Sequence, residues 1–376
     1  MVNKVMRPCK NSKIAFFVHS FSGGGAEKVM VTLANRFASK GYEVTFVVAR
    51  DEGPYKKNLD NSISKKVLCN SKIKMIRRIE FIFGAMVFLR TFSGSVLSTI
   101  STMNIIVSVC HPLSFSKSRL FLREADTLDR FEQKGIVNFL KINMMRFLYP
   151  RAIKIIANSQ ATKNDVVKWV GVDEDKIECI YNPLDVVKIK EMFYDKVDSE
   201  VYPFVISMCG RLVEKKRYSH ALKALNLLIE EYDVNACLWI LGVGPDRDRL
   251  EMEVSELGLS DNVVFWGFQE NPYKFIRKSN VFLHTSEYEG FGYVFAEALA
   301  CETPVVAYKA KGAVNEILKD GAYGVLVKDG CCHELATALH RAYREKPVYD
   351  YADAAERFEL DGIFNKYKLV IIDAGI

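Results

Sequence analysis

No Cys-x-x-Cys occurs anywhere in the chain, and its six histidines are too scattered to form a ligand set. Both absences count against a metal centre. The nine cysteines show no paired spacing beyond the adjacent Cys331 and Cys332, so they read as reduced thiols of a cytosolic protein. Long apolar runs are missing too. The first, "IAFFVHSF" from Ile14, is eight residues long and enters a glycine-rich turn, which fits a buried first strand and not a secretory leader. The segment "IEFIFGAMVFLRTFSG" from Ile79 meets Arg90 after about eleven residues, well short of the roughly twenty that span a bilayer. There is no short-period repeat and no low-complexity tract. With 376 residues, 49% hydrophobic and 26% charged, the chain has the make-up of a soluble globular protein and the length of two domains.

Charge is present but unevenly shared. Residues 1–185 carry 29 Lys and Arg against 16 Asp and Glu, a net of +13, whereas residues 186–376 carry 23 against 30, a net of −7. A basic half joined to an acidic half implies that the first half meets something anionic. Nucleic acid, an anionic membrane and a phosphorylated substrate all satisfy that condition.

Short apolar runs alternate with helical patterns from end to end. "KIAFFVHS" precedes a helix in which Ala26, Val29, Met30, Leu33 and Phe37 recur at helix spacing, with Gly41 at its C-cap; "YEVTFVVA" follows as a strand. "NIIVSVC", "IKIIAN", a helix capped by Ser159 and "KIECIYN" complete the first half. The rhythm restarts with "YPFVISMCG", then "NACLWILG", "NVVFWG", "NVFLHT" and "TPVVAY", with helices between. Such alternation predicts an α/β protein of two Rossmann-like, doubly wound parallel sheets, residues 1–185 and 186–357, facing a central cleft. A last helix, about 358–376, can pack back on the first domain.

Two glycine- or cation-rich turns stand out. In "SFSGGGAEK" three glycines follow a first strand and open a helix, which lets backbone N–H groups approach an anion. Gly23 and Gly25 fit a dinucleotide fingerprint with Asp51 after the second strand, but Lys28 stands where that fingerprint wants Gly or Ala. A nicotinamide-dependent oxidoreductase therefore stays open. In "SMCGRLVEKKRYSHALKAL", Arg211 leaves one strand and Lys216 opens the next helix, a placement suited to a diphosphate gaining charge as it departs.

Read in order, "GRLVEKK", "GVGPDRDRLE", "VVFWGFQENPYKFI", "SEYEGFGYVFAEALACETPVVA" and "GAVNEIL" resemble the nucleotide-sugar domain of retaining glycosyltransferases of the GT-B fold, family 4. "GGAEKV", "NSQATKNDV" and "IYNPLD" extend the resemblance through nearly the whole chain, although the middle of the first half matches poorly. It implies roles. Glu297 would accept bonds from ribose hydroxyls, and Glu289 would reach donor-sugar hydroxyls or steady positive charge at the anomeric carbon. Arg211 and Lys216 match the diphosphate pair, so catalysis falls to Glu289, Arg211 and Lys216. Gly290, Phe291 and Gly292 form the turn that touches sugar and phosphate. Gly267, Phe268 and Gln269 would dock the base, and Gly24 and Gly25 would close over the diphosphate. No cofactor is implied: cationic side chains do the work of a metal ion.

Many family members also place a His after a first-domain strand. Here "LFLREADTLDRF" offers Glu124 and Asp126 but no His, and His111 lies in the neighbouring "CHPLSF". These three are the acceptor or acid/base candidates, although His111 reads more readily as a surface or helix-capping residue than as a catalytic one. A non-catalytic sugar-nucleotide-binding protein is thereby kept open.

Residues 65–90 hold seven basic residues against one acid, Glu80. Ile73, Ile76, Ile79, Ile82 and Phe83 share one helical face, with Lys72, Lys74, Arg77 and Arg78 beside it; Lys141, Arg146, Arg151 and Lys154 extend the patch. Such a helix either lies on an anionic membrane or packs on a sheet with a solvated charged face. No nucleic-acid motif is present, and the aromatic residues nearby sit within apolar runs. The expectation is a retaining hexosyltransferase, peripheral on the inner face of a bacterial membrane. It would move a hexose or N-acetylhexosamine from a nucleotide sugar, UDP-linked by preference and GDP-mannose as the alternative, to a lipid-linked glycan.

Overall fold

The computed structural model describes residues 12–22, 24–71, 73–126, 128, 135–198 and 202–373. Gly23, Lys72 and the Lys74 side chain lie outside what is described. The chain separates into two compact units: one runs to Pro183 and includes the chain from Asp361, the other is Leu184–Leu360.

The first unit is built on seven parallel strands: β1 (Lys13–Val18), β2 (Glu43–Val48), β3 (Ser64–Val67), β4 (Ser95–Thr99), β5 (Arg119–Glu124), β6 (Lys154–Ala157) and β7 (Ile177–Cys179). Their order is β3-β2-β1-β4-β5-β6-β7, so the winding reverses between β1 and β4. These strands are apolar on both faces because helices cover both. Phe17, Val96, Leu122 and Ile155 face one helical layer, while Phe16 meets Phe37 of the helix Gly25–Ser39 on the other, ring centres 6.0 Å apart. The expected cap holds: Ser159 Oγ accepts the Thr162 N–H at 3.0 Å.

The last helix, Leu360–Lys368, returns its residues from Asp361 onward to this first unit. Phe364 stacks edge-on against Phe37 at 4.7 Å, and Arg36 pairs with Asp361. Two arginines of β5 tie down the tail. Arg119 donates to the Ile371 and Ile372 carbonyls at 3.1 Å each. Arg123, wholly buried, donates to Tyr367 Oη and Thr99 Oγ1 at 3.0 Å each and to Asn182 Oδ1. An Arg can be buried without a carboxylate partner when its fork is filled by well-placed neutral acceptors.

The basic segment forms the helix Lys74–Thr91. Its buried side is Phe81, Ala85 and Leu89, whereas Ile73, Ile76, Ile79, Ile82 and Phe83 point outward, Phe83 being 69% exposed. The apolar face marked by spacing is thus not the face that packs. A second helix, Ile136–Leu148, exposes Ile136, Val137, Phe139, Leu140 and Phe147, with Arg151 lying over the Phe147 ring at 4.1 Å. Both helices pack against the helix Ser101–Leu113 between them. Among the described residues no helix is long and apolar enough to cross a membrane.

The second unit has six parallel strands: β8 (Phe204–Cys209), β9 (Ala236–Leu241), β10 (Val263–Gly267), β11 (Val281–His284), then β13 (Val305–Tyr308) and β15 (Val325–Val327). Between them fall the two-residue strands β12 (Tyr288–Glu289) and β14 (Lys311–Gly312), which pair only with each other. The main sheet runs β10-β9-β8-β11-β13-β15, reversing between β8 and β11. Glycine backbone closes the carboxyl ends of three adjacent strands. Gly210 N–H bonds the Leu241 carbonyl at 2.9 Å and Gly242 N–H bonds that of Gly267 at 2.7 Å. Gly242 has φ +142°, and a Cβ there would sit 1.9 Å from the Gly210 oxygen. Gly242→Ala should therefore force β8 and β9 apart at the end that carries Arg211. A cost on the order of 1–3 kcal/mol is expected, read as a lower urea midpoint. An unshifted midpoint would show that the strand ends are not in contact.

Candidate active site

The site lies where the winding of the second sheet reverses, the position at which open parallel sheets bind ligands. β11 is four buried residues, apolar until His284. The loop after it is held from both sides. Glu287 N–H bonds the Lys215 carbonyl at 2.9 Å, and Ala313 N–H bonds the Glu289 carbonyl at 3.2 Å. Thr285 Oγ1 donates to the Lys216 and Arg217 carbonyls at 2.7 and 3.0 Å, so the loop after β11 also positions the loop after β8.

Glu289 is the centre of the arrangement. Its Oε1 accepts from Lys216 Nζ and from His284 Nε2, the latter at 2.9 Å. The Lys216 and Glu289 side chains are 14% and 13% exposed. Burial pushes the Glu289 carboxyl up, but the Lys216 ammonium and the His284 imidazole overcome it and hold the group below its ordinary value. His284 moves the other way. Burial and the Lys216 charge press its pKa to about 3, so the ring is neutral, and because a carboxylate only accepts, Nε2 carries the proton.

The turn that follows depends on one glycine. Gly292 has φ +75° and caps the helix Tyr293–Ala300; a Cβ there would lie 2.4 Å from the Phe295 ring. Phe295 in turn meets His284 edge-on at 4.5 Å, so the helix start, the strand end and Glu289 are in register. Glu297, one turn inside that helix, is buried and accepts the Tyr273 hydroxyl at 3.1 Å.

The other sequence candidates divide. Arg211 is exposed and, among the described residues, has no ion-pair partner. Phe268 is exposed, while Gln269 turns its amide back to the Trp266 carbonyl at 2.7 Å. Gly267 takes φ +66°, and Gly290 is buried. The Phe291 side chain is buried against Phe358, ring centres 5.6 Å apart, and anchors the loop, so any contact it offers a ligand comes from its backbone. In the first unit, an added Cβ on Gly24 would meet the Glu27 carboxylate at 2.3 Å, so that side chain would have to shift, whereas Gly25 has open space.

Glu124 is no accessible acid/base group. It is wholly buried at the end of β5, accepting Tyr149 Oη at 2.6 Å and Ser101 Oγ at 2.9 Å, and burial raises its pKa despite those bonds. His111, in the last turn of its helix, bonds the Ser118 carbonyl at 2.9 Å and braces the loop that follows. Asp126 is half-buried just past β5. Asp51, the acid of the dinucleotide fingerprint, has its carboxylate occupied by Lys65 and Lys56 at 2.8 and 3.0 Å, which leaves the oxidoreductase reading without its ribose acceptor. His284, Thr285 and Tyr273 were not legible as site residues. The only signal was a histidine closing an otherwise apolar strand five positions before Glu289.

Two doubly wound parallel-sheet units, one with a lysine–carboxylate pair at its switch point, define a two-domain α/β transferase of the GT-B type. The model described as "Glycosyl transferases group 1" matches residues 191–358, and "Glycosyltransferase Family 4" matches 106–188. The chain belongs to these glycosyltransferases. It is 28% identical over 324 residues to a Campylobacter jejuni protein named N-acetylgalactosamine-N,N'-diacetylbacillosaminyl-diphospho-undecaprenol 4-alpha-N-acetylgalactosaminyltransferase, covering 84% of this chain and 86% of that one. It is 26% identical to the lipopolysaccharide core biosynthesis glycosyltransferase LpsE of Rhizobium meliloti, covering 88% of each. Among solved structures, Anabaena HepE in complex with UDP and glucose superposes with a TM-score of 0.78 at 21% identity, covering 95% of this chain and 98% of that one. The lipopolysaccharide outer core galactosyltransferase WaaB superposes at 0.74, also 21% identical, covering 96% and 99%.

Because the folded pKa of Glu289 is depressed, the stability it adds is complete above its ordinary value of 4.5 and is lost as pH falls through the lower folded value. Glu289→Gln should cost roughly 3 kcal/mol at pH 7, where it strands the Lys216 charge. The gap to the parent protein should narrow in urea titrations run below pH 4.5. A gap that stays constant with pH would mean that the carboxylate is not held ionised.

Proposed function

We propose that the chain moves a hexose or N-acetylhexosamine from a UDP-sugar, with retention, to a lipid-linked glycan while docked on an anionic membrane face. The observation that carries this reading is the outward apolar surface of the helices Lys74–Thr91 and Ile136–Leu148. Arg77, Arg78, Lys141, Arg146 and Arg151 lie on or beside those helices. A face of that kind exposes too much apolar area for water and too much positive charge for a neutral protein partner, and it suits lipid headgroups over acyl chains. Each basic residue near such a surface contributes on the order of 1 kcal/mol, enough in sum for reversible attachment. Two relatives support the acceptor class: the Campylobacter protein is named for a diphospho-undecaprenol substrate and the Rhizobium protein for lipopolysaccharide core. HepE solved with UDP supports the nucleotide.

In the reaction so proposed, Arg211 and Lys216 hold the diphosphate in place of a metal ion. The bond from the anomeric carbon to the diphosphate oxygen breaks and one to the acceptor oxygen forms on the same face. The acceptor proton passes to the departing phosphate oxygen. Glu289 accepts from donor-sugar hydroxyls and steadies the positive charge at the anomeric carbon, and Glu297 holds the ribose.

Two measurements test this. Incubation with UDP-N-acetylgalactosamine, UDP-galactose, UDP-glucose and GDP-mannose should give slow hydrolysis of a UDP-sugar, abolished in Arg211→Ala; GDP-mannose turnover alone would overturn the donor, and no turnover the function. Co-sedimentation with phosphatidylglycerol vesicles should fall when Lys72, Lys74, Arg77 and Arg78 are neutralised or Phe83 is changed to Ser. Unchanged binding in both would remove the membrane from the proposal.

A further inference from the structure

We propose that His284 is a positioning residue for transfer: as a neutral imidazole it fixes which oxygen of Glu289 is offered to the donor sugar. This rests on the donor-site reading above.

The geometry leaves His284 little other purpose. It closes a buried strand, and an apolar residue would pack there without the cost of a buried ring nitrogen. Instead Nε2 donates to Glu289 Oε1, the oxygen that Lys216 also holds. With both donors on Oε1, Oε2 takes no bond from either. Apart from those two donors, only the Ser286 hydroxyl lowers the pKa of this carboxylate by a side-chain bond, and Oε2 is the oxygen offered to a sugar hydroxyl. The two donors are unlike in kind. Lys216 is a charge on a flexible stem, and a diphosphate arriving in its loop competes for it. His284 is held by the Phe295 ring and by its strand, and being neutral it has no such competitor. When Lys216 turns toward phosphate, His284 keeps the carboxylate in place. A protonated imidazole would fail in this task, since it would cancel the charge that Glu289 presents to the anomeric carbon; burial and the Lys216 charge keep the ring unprotonated, at a pKa of about 3. The remaining titratable group facing Glu289 is Tyr218, whose buried hydroxyl is spent on the Gly210 carbonyl at 3.1 Å and whose pKa is far above neutral.

Two substitutions separate positioning from packing. His284→Phe keeps a ring against Phe295 and removes the donor, and His284→Gln restores a donor at similar reach. With the UDP-sugar that the parent protein hydrolyses, His284→Phe should lower kcat about tenfold or more, the equivalent of one lost hydrogen bond to a charged group. Calorimetric affinity for UDP alone should stay within about twofold of the parent's, below the discrimination that one such bond supplies. The acid limb of its kcat profile should move to higher pH, because a carboxylate that loses a donor is harder to ionise. His284→Gln should recover most of the rate. Nitrogen-15 spectra of the parent should show the His284 ring as the Nε2–H tautomer from pH 5 to 8. Parental kcat and acid limb in His284→Phe, an equal loss in His284→Gln, or a ring that titrates in that window would each overturn the assignment. A parent that hydrolyses none of the four donors would instead overturn the function on which the assignment rests, while the ring spectra would still report on the geometry.

Discussion

A buried carboxylate between a lysine and a neutral histidine is the interaction on which the second unit's site depends. Glu289 is desolvated, and its ionised form is held chiefly by Lys216 and His284, which converge on one of its oxygens, with a smaller contribution from Ser286. Everything near it serves that convergence. Gly292 leaves room for the Phe295 ring, Phe295 braces the His284 ring, and Thr285 pins the backbone of Lys216. A charge pair of this kind adds little net stability, yet it fixes side chains that a solvated pair would leave mobile.

The first unit handles buried charge differently. Arg123 and Glu124 are neighbours on β5, and their side chains project to opposite faces of the sheet with separate partners. Arg123 gathers neutral oxygens from Thr99, Asn182 and Tyr367, which binds the C-terminal helix to this unit. Glu124 is closed off by Tyr149, Ser101 and Asn104. Both belong to the architecture, and neither is exposed to an incoming ligand. The surface of this unit carries the other distinctive feature, two helices whose apolar sides face outward.

Much of this was legible beforehand for a physical reason: strands buried on both faces must be continuously apolar, and crossover helices must carry a period of 3.6. The strands "KIAFFV" and "ACLWIL" follow from the first rule and the Ser159 cap from capping chemistry. The equally apolar "NIIVSVC" lies instead in the helix Ser101–Leu113, because a short apolar run alone does not separate a buried strand from a buried helix. The pairing of Lys216 with Glu289 lies 73 positions apart in the chain, and only the resemblance of the motifs to a known family placed both in one site. That the Phe291 and Glu124 side chains are buried was not legible, because a residue inside a functional motif, or next to one, gives no sign of whether its side chain turns toward solvent or core.

By itself, the sequence determined the class: two wound α/β units, a basic first half, and two acids on either side of a glycine-bounded turn. Tertiary structure alone decided which faces are covered. Periodicity marks an apolar stripe on residues 74–91 but cannot say that the sheet takes Phe81, Ala85 and Leu89 instead and leaves the isoleucines outside. It also decided that His284 serves Glu289. That bond needs the end of one strand and the loop after it folded back within 2.9 Å, and no spacing in a linear chain encodes such a return.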